Sequence, residues 1–300
     1  MANLKTWIKA ARPRTVLLSL SGVLMGGFLA IKEESCHPLV ILFAALTAIM
    51  LQILSNLAND YGDFKKGVDG PQRIGPQREM QRGAIGEQEM RRGMFLVAAL
   101  CLMSGAILIF GVSRLTWEEL GIFAMLGIGA VLAALLYTLG KRPYGYRGLG
   151  DLFCFLFFGW AATAGTYYLS TKNLDWAVLL PASAMGFMSN AVLNINNMRD
   201  YESDLASGKR SLVVKIGLKN AFIYHVALIA SGFICLSAFL LLKRAPFYAH
   251  LFWLTSPLFI KDLIAMKKGL EAHHFDAFLP RQVKFTALLV VVFGVIFALA

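Results

Sequence analysis

The sequence predicts an all-α fold: a polytopic membrane bundle of about nine transmembrane helices. Three observations carry that reading. Apolar residues make up 57% of the 300 residues and charged residues 16%, against roughly 25% charged in an ordinary soluble domain. Those apolar residues are gathered into nine segments, each near the roughly 20 residues that a helix needs to cross the hydrocarbon core. Basic residues alternate between the connecting segments: 24 of the 29 Lys and Arg fall on one side of the implied membrane, and Lys32, Arg114, Lys172, Lys243 and Arg244 on the other. A mean hydropathy of +0.62 excludes a soluble globule, a disordered chain and a disulfide scaffold, because too little polar surface is present to face water.

In chain order the predicted spans are 15–31, 38–58, 93–112, 120–139, 152–170, 176–195, 221–242, 248–266 and 283–300. Lipid offers no hydrogen bonds to a backbone, and the continuous apolar runs lack the alternation of barrel strands, so each is read as a helix. Gly22, Gly26 and Gly27 in the first, and Gly121, Gly127 and Gly129 in the fourth, predict close helix contacts. Residues 1–14 are basic, and the apolar segment after them has the character of a first span and not of a cleavable leader. Cys36, Cys101, Cys154 and Cys235 form no C-x-x-C pair and are read as packing residues. With no linker or low-complexity stretch, residues 1–300 are expected to form a single integral-membrane domain.

The net charge of +11 is accounted for by topology. The basic side faces the cytoplasm in a cell (inner) membrane, which places the N-terminus and the two long polar loops, 59–92 and 196–220, on that side. Lipid is the expected surrounding, and nucleic acid is not needed as a partner. The oligomeric state is not set by the sequence.

Both long loops open on acids. After the second span, Asn56, Asp60 and Asp63 stand at i, i+4 and i+7, and after the sixth, Asn197, Asp200 and Asp204 stand at i, i+3 and i+7. Each trio shares one helix face. Four spans lie between them, so both sit on the same side of the membrane. Clustered carboxylates at the edge of an apolar bundle repel each other and resist desolvation, so positive charge must compensate. A hard cation suits all-oxygen donors, and Mg²⁺ takes one or two carboxylates plus phosphate oxygens. Basic residues follow each cluster: Arg73, Arg78 and Arg82 after the first, Lys209 and Arg210 after the second. Acids, metal and cations together describe a diphosphate site.

The strings Asn59-Asp60-Tyr61-Gly62-Asp63 and Asp200-Tyr201-Glu202-Ser203-Asp204 resemble the two acidic motifs of the UbiA superfamily of intramembrane prenyltransferases. Helix number and loop sizes agree along nearly the whole chain. Where many members carry a third acid after the first motif, this chain has Gly67, and the next acid is Asp69, which is left without a role. SNLANDYGDFKKGVDG, GPQREMQRGAI, YTLGKRPYGYRGLGD and NNMRDYESDLASGKRSL are similar to the branch that prenylates 1,4-dihydroxy-2-naphthoate in menaquinone synthesis.

The resemblance implies that Mg²⁺ held by Asp60, Asp63, Asp200 and Asp204 binds a polyprenyl diphosphate. Asn56 and Asn197 would complete or orient that shell, and Lys141, Arg78, Arg82, Lys209 and Arg210 would take the remaining phosphate charge. Tyr137, and less so Tyr146, Tyr144, Tyr61 and Tyr201, could offer π faces to the allylic cation. Arg12 fits the family's substrate-facing arginine, with Arg14 competing. The acceptor implied is 1,4-dihydroxy-2-naphthoate, and the products demethylmenaquinol, CO₂ and diphosphate. Two rivals stand beside this: a UbiA-type enzyme for another acceptor such as 4-hydroxybenzoate or haem, and a membrane transporter whose acids bind ions.

Overall fold

The computed structural model describes residues 2–68, 75–269 and 272–300, and among them every regular element is a helix. Asp69, Gly70 and Arg73 lie outside the described residues. A short helix α1 (Leu4–Ala11) precedes α2 (Pro13–Lys32), α3 (Pro38–Lys65), α4 (Glu87–Ala106) and α5 (Trp117–Leu136). Then come α6 (Gly150–Cys154), α7 (Gly165–Thr171), α8 (Leu179–Arg199), α9 (Tyr201–Ala206), α10 (Leu212–Leu242), α11 (Ser256–Lys268) and α12 (Phe278–Leu299). Proline opens α2 and α3, where its missing N–H would be unpaired anyway. Thr116 and Glu119 cap α5 reciprocally, a capping box that satisfies two end donors.

Among the described residues eight helices, some extended by a 3₁₀ or π segment, are long and apolar enough to cross a membrane. The remaining predicted span, 248–266, is built in two pieces: a 3₁₀ stretch Phe247–Thr255 running straight into α11. At about 2.0 Å and 1.5 Å rise per residue the pair reaches roughly 37 Å, enough to span. The fifth span is also composite, with a π-helical middle, Phe155–Ala164, between α6 and α7. The predicted long loops are largely helical. α3 runs on to Lys65, past the point where its apolar residues stop, and α9 with the first turns of α10 fills much of 196–220. Gly217, at φ 78° and ψ 159°, kinks α10 there, in a conformation that a side chain would strain.

α8 is central, 72% of its span being buried, whereas α5 is peripheral at 6%. This corrects one expectation. A Cβ on Gly22 or Gly26 would sit 2.7 Å from the Phe158 carbonyl and 2.4 Å from that of Thr163, so α2 does press on the π segment. A Cβ on Gly121 or Gly127 would meet no neighbouring element within 4 Å, and one on Gly129 only the Phe157 ring at 3.9 Å. The glycines of α5 make no close helix contact because Ile122, Met125, Ile128 and Leu132 turn that helix outward. The main apolar core joins Met25 and Leu29 of α2, Met185 and Met188 of α8, Phe233 and Phe239 of α10, and Phe293 of α12. All four cysteines are free thiols.

Candidate functional site

The extra turns of α3 create the site. Because the helix does not stop at Ala58, Asn56, Asp60 and Asp63 stay on one face, and they are 3%, 1% and 1% exposed. Gly62 lies against a neighbour: a Cβ there would meet Thr138 at 2.7 Å. The Thr138 hydroxyl donates to the Ala58 carbonyl at 2.8 Å, pinning the end of α3 to the segment after α5.

Cations from distant segments converge on these acids. Arg12 stands between α1 and α2 in a left-handed conformation, φ 50°, and its guanidinium pairs with Asp60. Arg78 is buried; its Nη1 reaches Asp63 Oδ2 at 2.6 Å and donates to the Asn59 carbonyl at 2.7 Å, while its Nε lies 3.6 Å from Asp60 Oδ1. The Tyr146 hydroxyl donates to Asp63 Oδ1. Its ring takes Lys66 Nζ at 4.5 Å and Lys209 Nζ at 5.5 Å, geometry suited to cation–π attraction. Burial raises the Tyr146 pKa, and the Asp63 charge adds to it, so the phenol stays a donor.

The second acidic stretch is broken where the spacing implied continuity. α8 ends at Arg199, Asp200 is the junction, and α9 begins at Tyr201. The Arg199 guanidinium forks onto Asp200 at 2.8 and 2.9 Å and also bonds Asp276 Oδ1 at 3.1 Å and Asn196 Oδ1 at 2.8 Å. Asp204, 1% exposed, pairs with Lys209 Nζ at 3.2 Å. Burial pushes the Asp204 carboxyl up to about 6, the ammonium offsetting only part of that. Burial works against the Lys209 charge as well, but Asp63 and Asp204 more than compensate and raise its pKa. Lys209 is thus the cation that answers to both motifs.

A cavity of about 850 Å³ opens on this cluster, lined by Asn56, Asp60, Asp63, Arg12, Arg14, Arg78, Arg82, Arg199, Lys209 and Tyr137 at its polar end. Leu18, Ala48, Leu51, Ala130, Phe157 and Phe158 line its apolar part. Ala48, Leu51, Ala130, Phe157 and Ala162 also wall a second, almost wholly apolar cavity of about 310 Å³. The Tyr137 ring is seated between Gly145 and Gly150, where added Cβ atoms would fall 2.9 and 3.0 Å from it. Tyr144 also lines the cavity, whereas Tyr61 and Tyr201 pack into other apolar clusters.

Not every residue singled out from sequence reaches the cavity wall. Asn197, Asp200 and Asp204 are buried behind it, Tyr146 touches it through Asp63, and Lys141 and Arg210 are exposed away from it. Arg199, Gln52 and Ser189, which the sequence did not single out, and Asn59, which it gave only as part of the first motif, also line it. Arg199 carried a usable signal, lying next to Asp200; Gln52 extends the Asn56–Asp60 face by one turn.

Among the described residues no three His, Cys, Asp or Glu side chains meet as a ready-made metal cage. The donor set nevertheless fits a hard divalent cation. All the acids are oxygen donors, and Asp204 Oδ2 and Asn59 Oδ1 are buried without a hydrogen-bond partner among the described residues. A cation that draws its other ligands from phosphate needs no all-protein cage.

Paired acids and converging cations thus stand at the head of a cavity whose other walls are apolar, within a bundle of membrane-length helices. The chain belongs to the UbiA prenyltransferase family, whose model matches residues 19–279, and it is a multi-pass membrane protein. It is 41% identical over 284 residues to a 1,4-dihydroxy-2-naphthoate octaprenyltransferase of Escherichia coli, covering 95% of this chain and 92% of that one. A protein of the same name from Haemophilus influenzae is 42% identical over 87% of this chain and 85% of its own. A UbiA homolog from Archaeoglobus fulgidus bound to GPP and Mg²⁺ superposes with a TM-score of 0.69 at 16% identity, covering 98% of this chain and 100% of that one. At that identity the likeness is one of fold.

Proposed function

We propose that this chain transfers a polyprenyl group from polyprenyl diphosphate to 1,4-dihydroxy-2-naphthoate, releasing CO₂ and diphosphate and leaving demethylmenaquinol. The observation that carries the reading is the pairing of a charged, acid-and-cation cavity head with a continuous apolar interior, joined to 41% identity with the Escherichia coli enzyme of that name. Residues 1–300 act as one membrane domain. The N-terminus and both acidic loops face the cytoplasm of the inner membrane, a reading supported by the 24-to-5 partition of basic residues.

Mg²⁺ is the metal we assign, held by Asp60, Asp63, Asp200 and Asp204. When bound, it supplies the Lewis acidity that stabilises the departing diphosphate. Arg78 and Lys209 take phosphate charge from within the cavity, with Arg12 and Arg82 at its rim, and Asn56 and Asn197 orient the acids. Lys141 and Arg210 contribute from outside the wall. The prenyl tail follows Leu51 and Phe157 into the second cavity. Tyr137 and Tyr144 present π faces beside the allylic carbon and keep water from it. The acceptor ring attacks through the carbon bearing its carboxylate. The new C–C bond forms as the C–O bond to diphosphate breaks, and loss of CO₂ returns the electron pair that restores aromaticity. No side chain need remove a ring proton.

The test uses purified protein in detergent with acceptor labelled in the carboxyl group. Label should leave as CO₂ one for one with prenyl attachment, and diphosphate release should depend on a divalent metal. Retention of label in the prenylated product would move the chain to a different acceptor within the same family.

A further inference from the structure

Polar character in the cavity continues below the acids. Gln52 stands one turn before Asn56 on the same face of α3, is 8% exposed and lines the cavity. The orientation of its amide is forced by a chain of hydrogen bonds. Thr15 has a single hydroxyl proton, and it goes to the Arg12 carbonyl at 2.9 Å. The Thr15 oxygen must therefore accept from Asn56 Nδ2 at 3.0 Å and from Gln52 Nε2 at 3.3 Å. Asn56 Nδ2 also donates to the Ala11 carbonyl at 2.9 Å, which leaves Asn56 Oδ1 as the acceptor for Gln52 Nε2 at 3.3 Å. Both protons of the Gln52 amide are used. Its Oε1 is left buried with no donor among the described residues, and so is the Ser189 hydroxyl oxygen on α8, 1% exposed, which lines the same cavity.

We infer that Gln52 Oε1 accepts the O–H of a phenolic hydroxyl on the aromatic acceptor and so selects a hydroxylated ring. The inference rests on the proposed function above. It proceeds by elimination among the reactants. An ionised diphosphate offers no proton, a prenyl chain offers none, and the acceptor's carboxylate is itself an acceptor group. Among the reactants only the ring hydroxyls can donate to the buried amide oxygen, and a site built to bond a hydroxyl rejects the analogue that lacks it. The depth agrees. Gln52 lies two turns, about 12 Å along the helix axis, below Asp60, and its amide reaches up to Asn56, one turn below Asp60, so a ring bonded to it lies beneath the leaving group. Ser189, able to donate and accept, is the second contact.

The experiment is a cycle between a side chain and a substrate group. Binding of 1,4-dihydroxy-2-naphthoate, and of the two analogues each lacking one hydroxyl, is measured as competitive inhibition or KM in wild type and in Gln52→Leu. In wild type one analogue should bind at least about tenfold more weakly than the full acceptor, the loss of a bond worth about 1.4 kcal/mol. In Gln52→Leu that discrimination should fall below about threefold, while the KM for prenyl diphosphate stays within about threefold of wild type. If Gln52→Leu fails to accumulate, Gln52→Asn keeps the amide, withdraws its oxygen, and should collapse the discrimination equally. Unchanged discrimination, or a prenyl diphosphate KM that rises in step with the acceptor's, overturns the assignment and leaves Gln52 as a packing or water-binding residue. Wild-type protein that fails to prenylate dihydroxynaphthoate at all would instead overturn the proposed function, and the two failures are separate.

Discussion

The two acidic motifs resemble each other weakly in sequence and differ in how the fold holds them. The first lies on an unbroken helix, faces the cavity, and draws its partners from far along the chain: the cations Arg12 before α2 and Arg78 beyond α3, and the neutral Tyr146 hydroxyl beyond α5. The second straddles a helix junction, sits behind the wall, and is neutralised by neighbours in sequence, Asp200 by Arg199 and Asp204 by Lys209. The first motif therefore depends on the tertiary structure to stay charged, and it also ties that structure together. The second is assembled locally, and Lys209 and Arg199, with Asn196 beside them, present it to the cavity.

The largest expected effect tests whether the motifs share one chemistry. Asp63→Asn and Asp200→Asn should each cut turnover about 10³-fold, the loss of several kcal/mol of leaving-group stabilisation, read as initial rates at saturating metal. A hundredfold gap between them would show that one motif alone carries the diphosphate. Next comes Arg78→Met, which leaves Asp63 buried without its ion-pair partner. It should lower stability by about 3–5 kcal/mol as well as abolish activity, visible as a fall in Tm in detergent. Lys209→Met, acting on the locally built motif, should weaken prenyl diphosphate binding about 10–100-fold, as expected for a charged hydrogen bond, with a smaller change in Tm than Arg78→Met. If the two Tm changes are equal, the contrast between the motifs is wrong. The smallest effects belong to Lys141→Ala and Arg210→Ala. As solvent-exposed charges they should change kcat/KM by no more than about threefold, and a tenfold loss in either would show that its side chain folds over the cavity when substrate binds.

How much of this could be read from sequence follows the same division. The all-helical bundle and its spans were legible because lipid permits few alternatives and charge alternation fixes the order. The face shared by Asn56, Asp60 and Asp63 was legible because helical spacing is local. The break at Asp200 was not, since nothing in residues 197–204 forbids a continuous helix. The pairing of Arg12 with Asp60 and of Tyr146 with Asp63 joins residues 48 and 83 positions apart, distances over which periodicity carries no information. The glycines of α5 misled because a small residue permits a close contact without requiring a partner to be there.

Gly62 has a bearing on motion. It fits under Thr138 with no room for a methyl group, while Gln52, Asn56, Asp60 and Asp63 hold the opposite side of α3 to the cavity. A helix advances about 100° per residue, so even a one-residue rotation of α3 would turn both acids off the cavity and lift Gly62 from its seat. α3 is thus a fixed rail. Any opening and closing during turnover falls to the elements resting on it, and the segment carrying Arg78 would have to break its buried ion pair to Asp63 to move.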